Sequence, residues 1–317
     1  MKTHRLHRAV FLLFAAFTSA AWGWSMGGHR VTGVMTARAL AATAPHAVTA
    51  IHALMQSHPA ADAFAARLNE AGDDTGARSE RLFAEMAQWP DEVRSGALKA
   101  YHRGDWHTID VPFVAPGYNP PREALIAGTN LLTALEENLR IAADIAAPAT
   151  DRAVALCWIF HLVGDLHQPL HAASLYSPAF PDGDRHGTRF YVRPPHGDDA
   201  VSLHYFWDSA IQRSQQMTEV LRTATQLQSL YPRETLDELL QRPYLDTGSP
   251  RRWILEESHR LAISSAYRDG QLAGSADRRS AVRLSEAYAA AAQGIAARRM
   301  ALSAIRLAEV LRAIFPR

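Results

Sequence analysis

The chain has 317 residues, with 33 basic and 32 acidic side chains, 15 histidines and one cysteine. A net charge of +1 excludes a protein that grips a polyanion through a lysine and arginine surface; any such attraction at a site must come mostly from bound cations. The lone Cys157 excludes an intrachain disulfide framework, so stability has to come from an apolar core and bound metal.

Residues 1–23 have the pattern of a secretory signal. Lys2, Arg5 and Arg8 form a basic start, Ala9 to Phe17 an apolar run, and Ala21-Trp-Gly23 offers small residues at the cleavage positions. The run is far shorter than the roughly 20 residues that span a bilayer, and no later segment qualifies, so export to the periplasm or beyond is expected without a transmembrane anchor. Removing three of the 33 basic residues and none of the 32 acidic ones leaves 30 against 32, about −2.

From Trp24 onward helical periodicity dominates. Helices are expected over Arg30 to Ala44, Ala47 to Ser57, Arg78 to Ala87, Arg122 to Ile145, Asp151 to Gln168, Ser202 to Arg213, Met217 to Ser229, Pro250 to Tyr267 and Arg278 to Ile314, the last with a possible break near Gly294. The extended segment Thr188 to Arg193 lies between the turn-rich runs Pro181 to Gly187 and Pro194 to Gly197, where a small β-hairpin is expected. No linker splits residues 24–317, so the fold class is all-α (mainly α), as a single globular multi-helix domain.

Candidate metal ligands recur along this frame. The run from Ala153 (AVALCWIFHLVGDL) is apolar on nearly every face and reads as a buried helix carrying His161 and Asp165 on one side. A carboxylate there is costly without a hydrogen-bonded partner or a metal, and a structural pair is the alternative. Pro169 ends the helix and His171 follows it. His204 and Asp208 repeat the spacing of four on another helix. Asp91 follows Trp89-Pro90 at a helix exit, and His107 lies in Asp105-Trp-His-Thr-Ile-Asp110. Imidazole nitrogen and carboxylate oxygen suit zinc. Cleavage after Gly23 would also expose the α-amine of Trp24, which a metal can deprotonate near neutral pH, and Gly27-Gly28 lets His29 fold back to the same ion.

Trp24 with His29, Trp89-Pro-Asp91, Trp106-His107, His161-x3-Asp165-x5-His171 and His204-x3-Asp208 together resemble the S1/P1 family of zinc-dependent single-strand-specific nucleases, as a bacterial member. The likeness runs from Trp24 to Asp208 and extends to Trp253-Ile-Leu-Glu-Glu-Ser258 and Ile305-Arg-Leu-Ala308. It implies the zinc phospholipase C and single-strand nuclease type of fold, and three Zn2+ per chain. Asp91, His107, His161 and Asp165 would hold one ion, His171, His204 and Asp208 a second, and the amine and carbonyl of Trp24 with His29 a third, Asp165 bridging the first and third.

The implied activity is hydrolysis of single-stranded DNA and RNA to 5′-phosphorylated products, with 3′-nucleotidase activity on nucleotides, by a zinc-bridged hydroxide attacking phosphorus in line. The resemblance gives Asp91, Arg94 and Asp165 catalytic roles, places Arg94 on the scissile phosphate, and places Asp110 on a nucleobase edge. Thr108 stands where some members have a stacking phenylalanine, which bears on base affinity rather than on the reaction. His186 and Thr188 replace a glycine and an asparagine of the family loop. His167 and His196 match no ligand position and are read as supporting or solvent-facing. The expected protein is a monomer with no stable protein partner. A zinc-dependent phospholipase C is the nearest alternative, disfavoured by the short Trp24 to His29 spacing and by Asp208 in place of glutamate; an inactive secreted zinc-binding protein is the second.

Overall fold

The computed structural model describes residues 24–120, 129–236, 240 and 249–317. Residues 1–23, with the expected signal, and 122–128, the start of one expected helix, lie outside the described residues.

Eight helices open the described chain: α1 (Met26–Thr43), α2 (Pro45–Met55), α3 (Ala61–Asn69), α4 (Thr75–Glu92), α5 (Leu131–Ala143), α6 (Ala149–Asp165), α7 (Leu203–Asp208) and α8 (Met217–Leu230). A segment over 249–266 and a long terminal helix, Glu286–Ile314, complete the helical frame. The mainly α class holds, with small sheets added at one end. The hairpin forms where expected, β3 (Tyr191–Arg193) pairing antiparallel with β4 (Val201–Ser202), and β5 (Val282–Arg283) adds a parallel third strand. A parallel pair, β1 (Pro112–Val114) with β2 (Ser174–Tyr176), has no counterpart in the sequence expectation.

α6 is buried on nearly all sides because α4 and α5 flank it, and its apolar residues Leu156, Ile159, Phe160 and Leu162 are fully enclosed. α1 packs beside α4 at a distance only glycine allows: a Cβ on Gly33 would come within 2.4 Å of the Phe83 carbonyl. A buried polar net locks that pair, with Arg30 donating to Glu85 at 3.0 Å and to Gln88 at 2.5 Å.

Several expected boundaries move, some through local caps and some because distant segments claim the chain. α4 starts early because Asp74 accepts from the Ala77 amide at 2.7 Å, and it continues through Pro90, so Asp91 sits in its last turn. α7 stops at Asp208, and the chain turns to meet Ser25, whose hydroxyl donates to the Gln212 carbonyl. The terminal helix begins at Glu286, capped by Ser285 at 3.1 Å from the Tyr288 amide, because residues 282–283 are claimed by the sheet. It runs unbroken through Gly294. α3 has no counterpart among the helices expected from the sequence.

The segment 249–266 contains two wider π turns, Trp253–Ser258 and Ala262–Ala266. The first carries Glu257 and Ser258, the latter's hydroxyl donating to the Leu166 carbonyl just past α6. Among the described residues no helix is long and apolar enough to cross a membrane.

Candidate metal centre

Eight of the nine expected ligand residues converge through their side chains. α1 supplies His29, α4 Asp91, α6 His161 and Asp165, and α7 His204 and Asp208; His107 and His171 come from the short segments that pack alongside. All eight are buried.

Asp165 is the hub. Its Oδ2 lies 3.1 Å from His107 Nδ1 and 3.2 Å from His161 Nε2, while its Oδ1 faces His29 Nε2 at 3.2 Å. The two oxygens of one carboxylate therefore address two different groups. His161 Nε2 also lies 3.9 Å from Asp91 Oδ1, and Asp91 reaches His29 as well, in a group whose candidate ligand atoms all fall within 4.8 Å. The second group is separate: Asp208 Oδ1 is 3.7 Å from His171 Nε2, and its Oδ2 is 3.3 Å from His204 Nε2.

Backbone carbonyls aim the imidazoles. Nδ1 of His161 donates to Ala87 at 2.8 Å, that of His171 to His107 at 2.6 Å and that of His204 to His186 at 2.7 Å. With Nδ1–H committed to a carbonyl, Nε2 carries the lone pair and turns toward the carboxylates. His186 presents its carbonyl from a left-handed backbone, φ 60°, beside Arg185 at 51°. A histidine at 186 thus holds a glycine-like turn at a cost in local strain.

Behind the exit of α6 lies a wall whose segments the resemblance marked without giving them a role. Glu257 accepts from Arg299 at 2.6 Å and from Arg306 at 2.7 and 2.8 Å. Arg299 donates to the His167 carbonyl at 3.1 Å, and Arg306 lies 2.9 Å from His167 Nε2 and stacks on Trp253. His167 is thus a buried support, whereas His196 is 86% exposed. Gln168 donates to Asp208 at 2.6 Å.

Trp24 is buried, and its indole donates to the Gly164 carbonyl at 2.9 Å. A side chain at Gly164 would crowd His29 Nδ1 at 3.0 Å, so glycine there lets Trp24 and His29 close on the residue before Asp165. Arg94 donates to Asp91 at 2.6 Å. Thr108 and Asp110 are half-buried beyond His107, with Tyr176 donating to Asp110 at 3.2 Å.

The donor set fits cations. His29 Nδ1 and Nε2, Asp91 Oδ2, His107 Nε2, Asp165 Oδ1, His171 Nε2 and Asp208 Oδ2 are buried without a hydrogen bond, although several lie close to one another. So many misaligned donors and acceptors in one buried place are costly unless an ion lies between them. Electrostatics point the same way. Burial works against the Asp165 carboxylate, but His161 and His171 outweigh it and hold it well below the usual range. Burial pushes Asp208 well above that range, more than the Gln168 hydrogen bond offsets, so a cation is what would keep it ionised. Burial also takes His171 down to about 4, leaving its ring neutral and able to ligate.

Fold and site define a mainly α protein with a buried histidine and carboxylate centre able to hold several metal ions. Residues 24–316 match the family described as S1/P1 nuclease, and the chain belongs to that family. It is 26% identical over 254 residues to Endonuclease 4 of Arabidopsis thaliana, a match covering 73% of this chain and 77% of that protein. Membership makes this a nuclease, a phosphoric ester hydrolase, in a family that depends on zinc.

Proposed function

We propose that the mature protein starts at Trp24, holds three zinc ions, and cleaves single-stranded DNA and RNA to 5′-phosphorylated products, with 3′-nucleotidase activity on nucleotides. The observation that carries this reading is the divided Asp165 carboxylate, one oxygen toward His107 and His161 and the other toward His29. Bound zinc would supply a hydroxide near neutral pH and neutralise the phosphate.

The protein's own residues position and orient. The carbonyls on His161, His171 and His204 fix each ring before any ion arrives, so little reorganisation is left for binding. Arg94, anchored on Asp91, is 19% exposed and suits a phosphate oxygen at the mouth. Asp110 beside Tyr176 offers an acceptor to a base edge, while Thr108 lacks a stacking ring. The Trp24 α-amine and carbonyl complete the His29 group once residues 1–23 are removed. Export to the periplasm or outside the cell, and action as a monomer, belong to the same reading.

The test is metal analysis of the processed protein, with digestion of single-stranded and duplex DNA, RNA, 3′-nucleotides and phosphatidylcholine. Three zincs and a preference for single strands are expected. Turnover confined to phosphatidylcholine, or a zinc-loaded protein inert on every phosphodiester, would overturn the reading. One residue added before Trp24 should reduce zinc from three to two, and unchanged content would refute amino-terminal ligation.

A further inference from the structure

We infer that Tyr205, backed by Arg213, is a nucleobase-stacking subsite on the rim of the second metal group. The inference rests on the nuclease reading and adds a residue to it.

The positions of α7 divide cleanly around its axis. Leu203 and Trp207 face the core, Trp207 donating to the Tyr288 hydroxyl at 3.0 Å. One step of roughly 100° further round, His204 and Asp208 face each other across the metal group. The next step is Tyr205. The metal face is therefore bordered by the core on one side and by this ring on the other.

Tyr205 is 40% exposed, and it is the only aromatic among the exposed large apolar side chains of the described residues. The helix does not require that ring, since its own N-cap is made by Ser202, whose hydroxyl accepts from the Tyr205 amide at 3.1 Å. The Arg213 guanidinium lies 5.6 Å from the ring centroid and backs it. Arg213 follows Gln212, whose carbonyl accepts from Ser25, and the Ser25 amide donates to the Asp208 carbonyl at 3.0 Å. The pair thus stands on the seam between α7 and the segment carrying Trp24 and His29.

A protein partner would call for a contiguous apolar patch, yet among the described residues the other exposed large apolar side chains, Val114, Ile145, Leu230 and Val282, belong to other segments of the chain. An isolated ring with a guanidinium is instead what an unpaired base and its phosphate use, because every base has a stacking face whatever its sequence.

The test compares wild type, Tyr205→Ala, Tyr205→Phe and Arg213→Ala, each zinc-loaded, on a short single-stranded oligonucleotide and on a set with one abasic site moved along it. Tyr205→Ala should lose about tenfold in kcat/KM on the intact strand, mostly through KM, with unchanged zinc content. Tyr205→Phe should restore most of that, and Arg213→Ala should show a smaller loss. One abasic position should penalise wild type but not Tyr205→Ala. If wild type cuts and Tyr205→Ala matches it, or if no abasic position loses its effect in Tyr205→Ala, the subsite is refuted and the nuclease reading stands. If wild type cuts no single strand, both fall.

Discussion

Asp165 and Asp208 have the same local design and opposite electrostatics. Each follows a histidine by four residues on a helix, each is buried, and each lies 3.2 to 3.3 Å from that histidine. Burial raises the cost of ionising both. At Asp165 four imidazoles, those of His29, His107, His161 and His171, crowd the carboxylate, and it is held well below the ordinary carboxylate value. At Asp208 a neutral Gln168 is the hydrogen-bonding neighbour, Asp165 and Asp91 add like charge, and the group is pushed well up. Spacing brings a ligand pair together; the neighbours decide whether it is already an anion before the ion arrives.

The largest expected effect follows from that contrast. Asp165→Asn removes a charge that two groups share, so it should lose two zincs and more activity than the roughly 10- to 100-fold typical of outer-shell changes. Normal zinc content in this variant would break the bridging geometry. Asp208→Asn touches one group only. It should lose one zinc and leave two, and because it mimics the neutral form that burial favours, the metal-free protein should melt no lower than wild type. A variant that lost all three ions would show that the groups do not load independently.

Glu257→Gln probes the wall that both groups lean on. It leaves Arg299 and Arg306 buried around a neutral amide, and their hold on His167 weakens. Breaking a buried pair from one side costs about 3 to 5 kcal/mol, and lost support for ligands costs about 10- to 100-fold in metal affinity. Chelator titration and thermal melting measure the two separately. Melting unchanged with affinity unchanged would mean that the wall neither supports the fold nor positions the ligands.

Legibility differed along the same line. The His161 and Asp165 pair and the His204 and Asp208 pair could be read because helical period alone puts them on one face. The apolar α6 announced its burial, and the hairpin announced itself by flanking turns. Of the wall, the resemblance marked residues 253–258 and 305–308, but nothing in the sequence showed that they meet. Glu257 meets Arg299 and Arg306 across 42 and 49 residues, and it does so from a π turn that has no sequence period of its own. The aiming carbonyls of Ala87, His107 and His186 are invisible for a simpler reason: a backbone oxygen carries no residue identity. The expected helix ends at Arg213 and Arg278 fall in segments captured by distant partners, Ser25 in one case and β3 in the other. The helix expected over Arg122 to Ile145 is met only over Leu131–Ala143 among the described residues, where Asn130 caps the start.

Asp184 offers a third buried aspartate that sharpens the contrast, because no histidine is among the groups that set its charge. Burial raises it to about 7, against hydrogen bonds from the Tyr267 hydroxyl at 2.8 Å and the Leu175 amide at 3.0 Å. A carboxyl whose folded value exceeds its unfolded one near 4 favours the fold fully below that value and loses the contribution as pH rises through about 7. A rise from near 4 to about 7 corresponds to about 4 kcal/mol at most. Between pH 4 and 7 the melting temperature of wild type should therefore fall relative to Asp184→Asn, and above pH 7 the difference should level off. Activity near pH 7.5 should change least of all the variants, since Asp184 contacts no ligand directly. A melting difference independent of pH would mean that the carboxyl is ionised in the fold throughout this range, and that burial alone is not what raises Asp208 above Asp165.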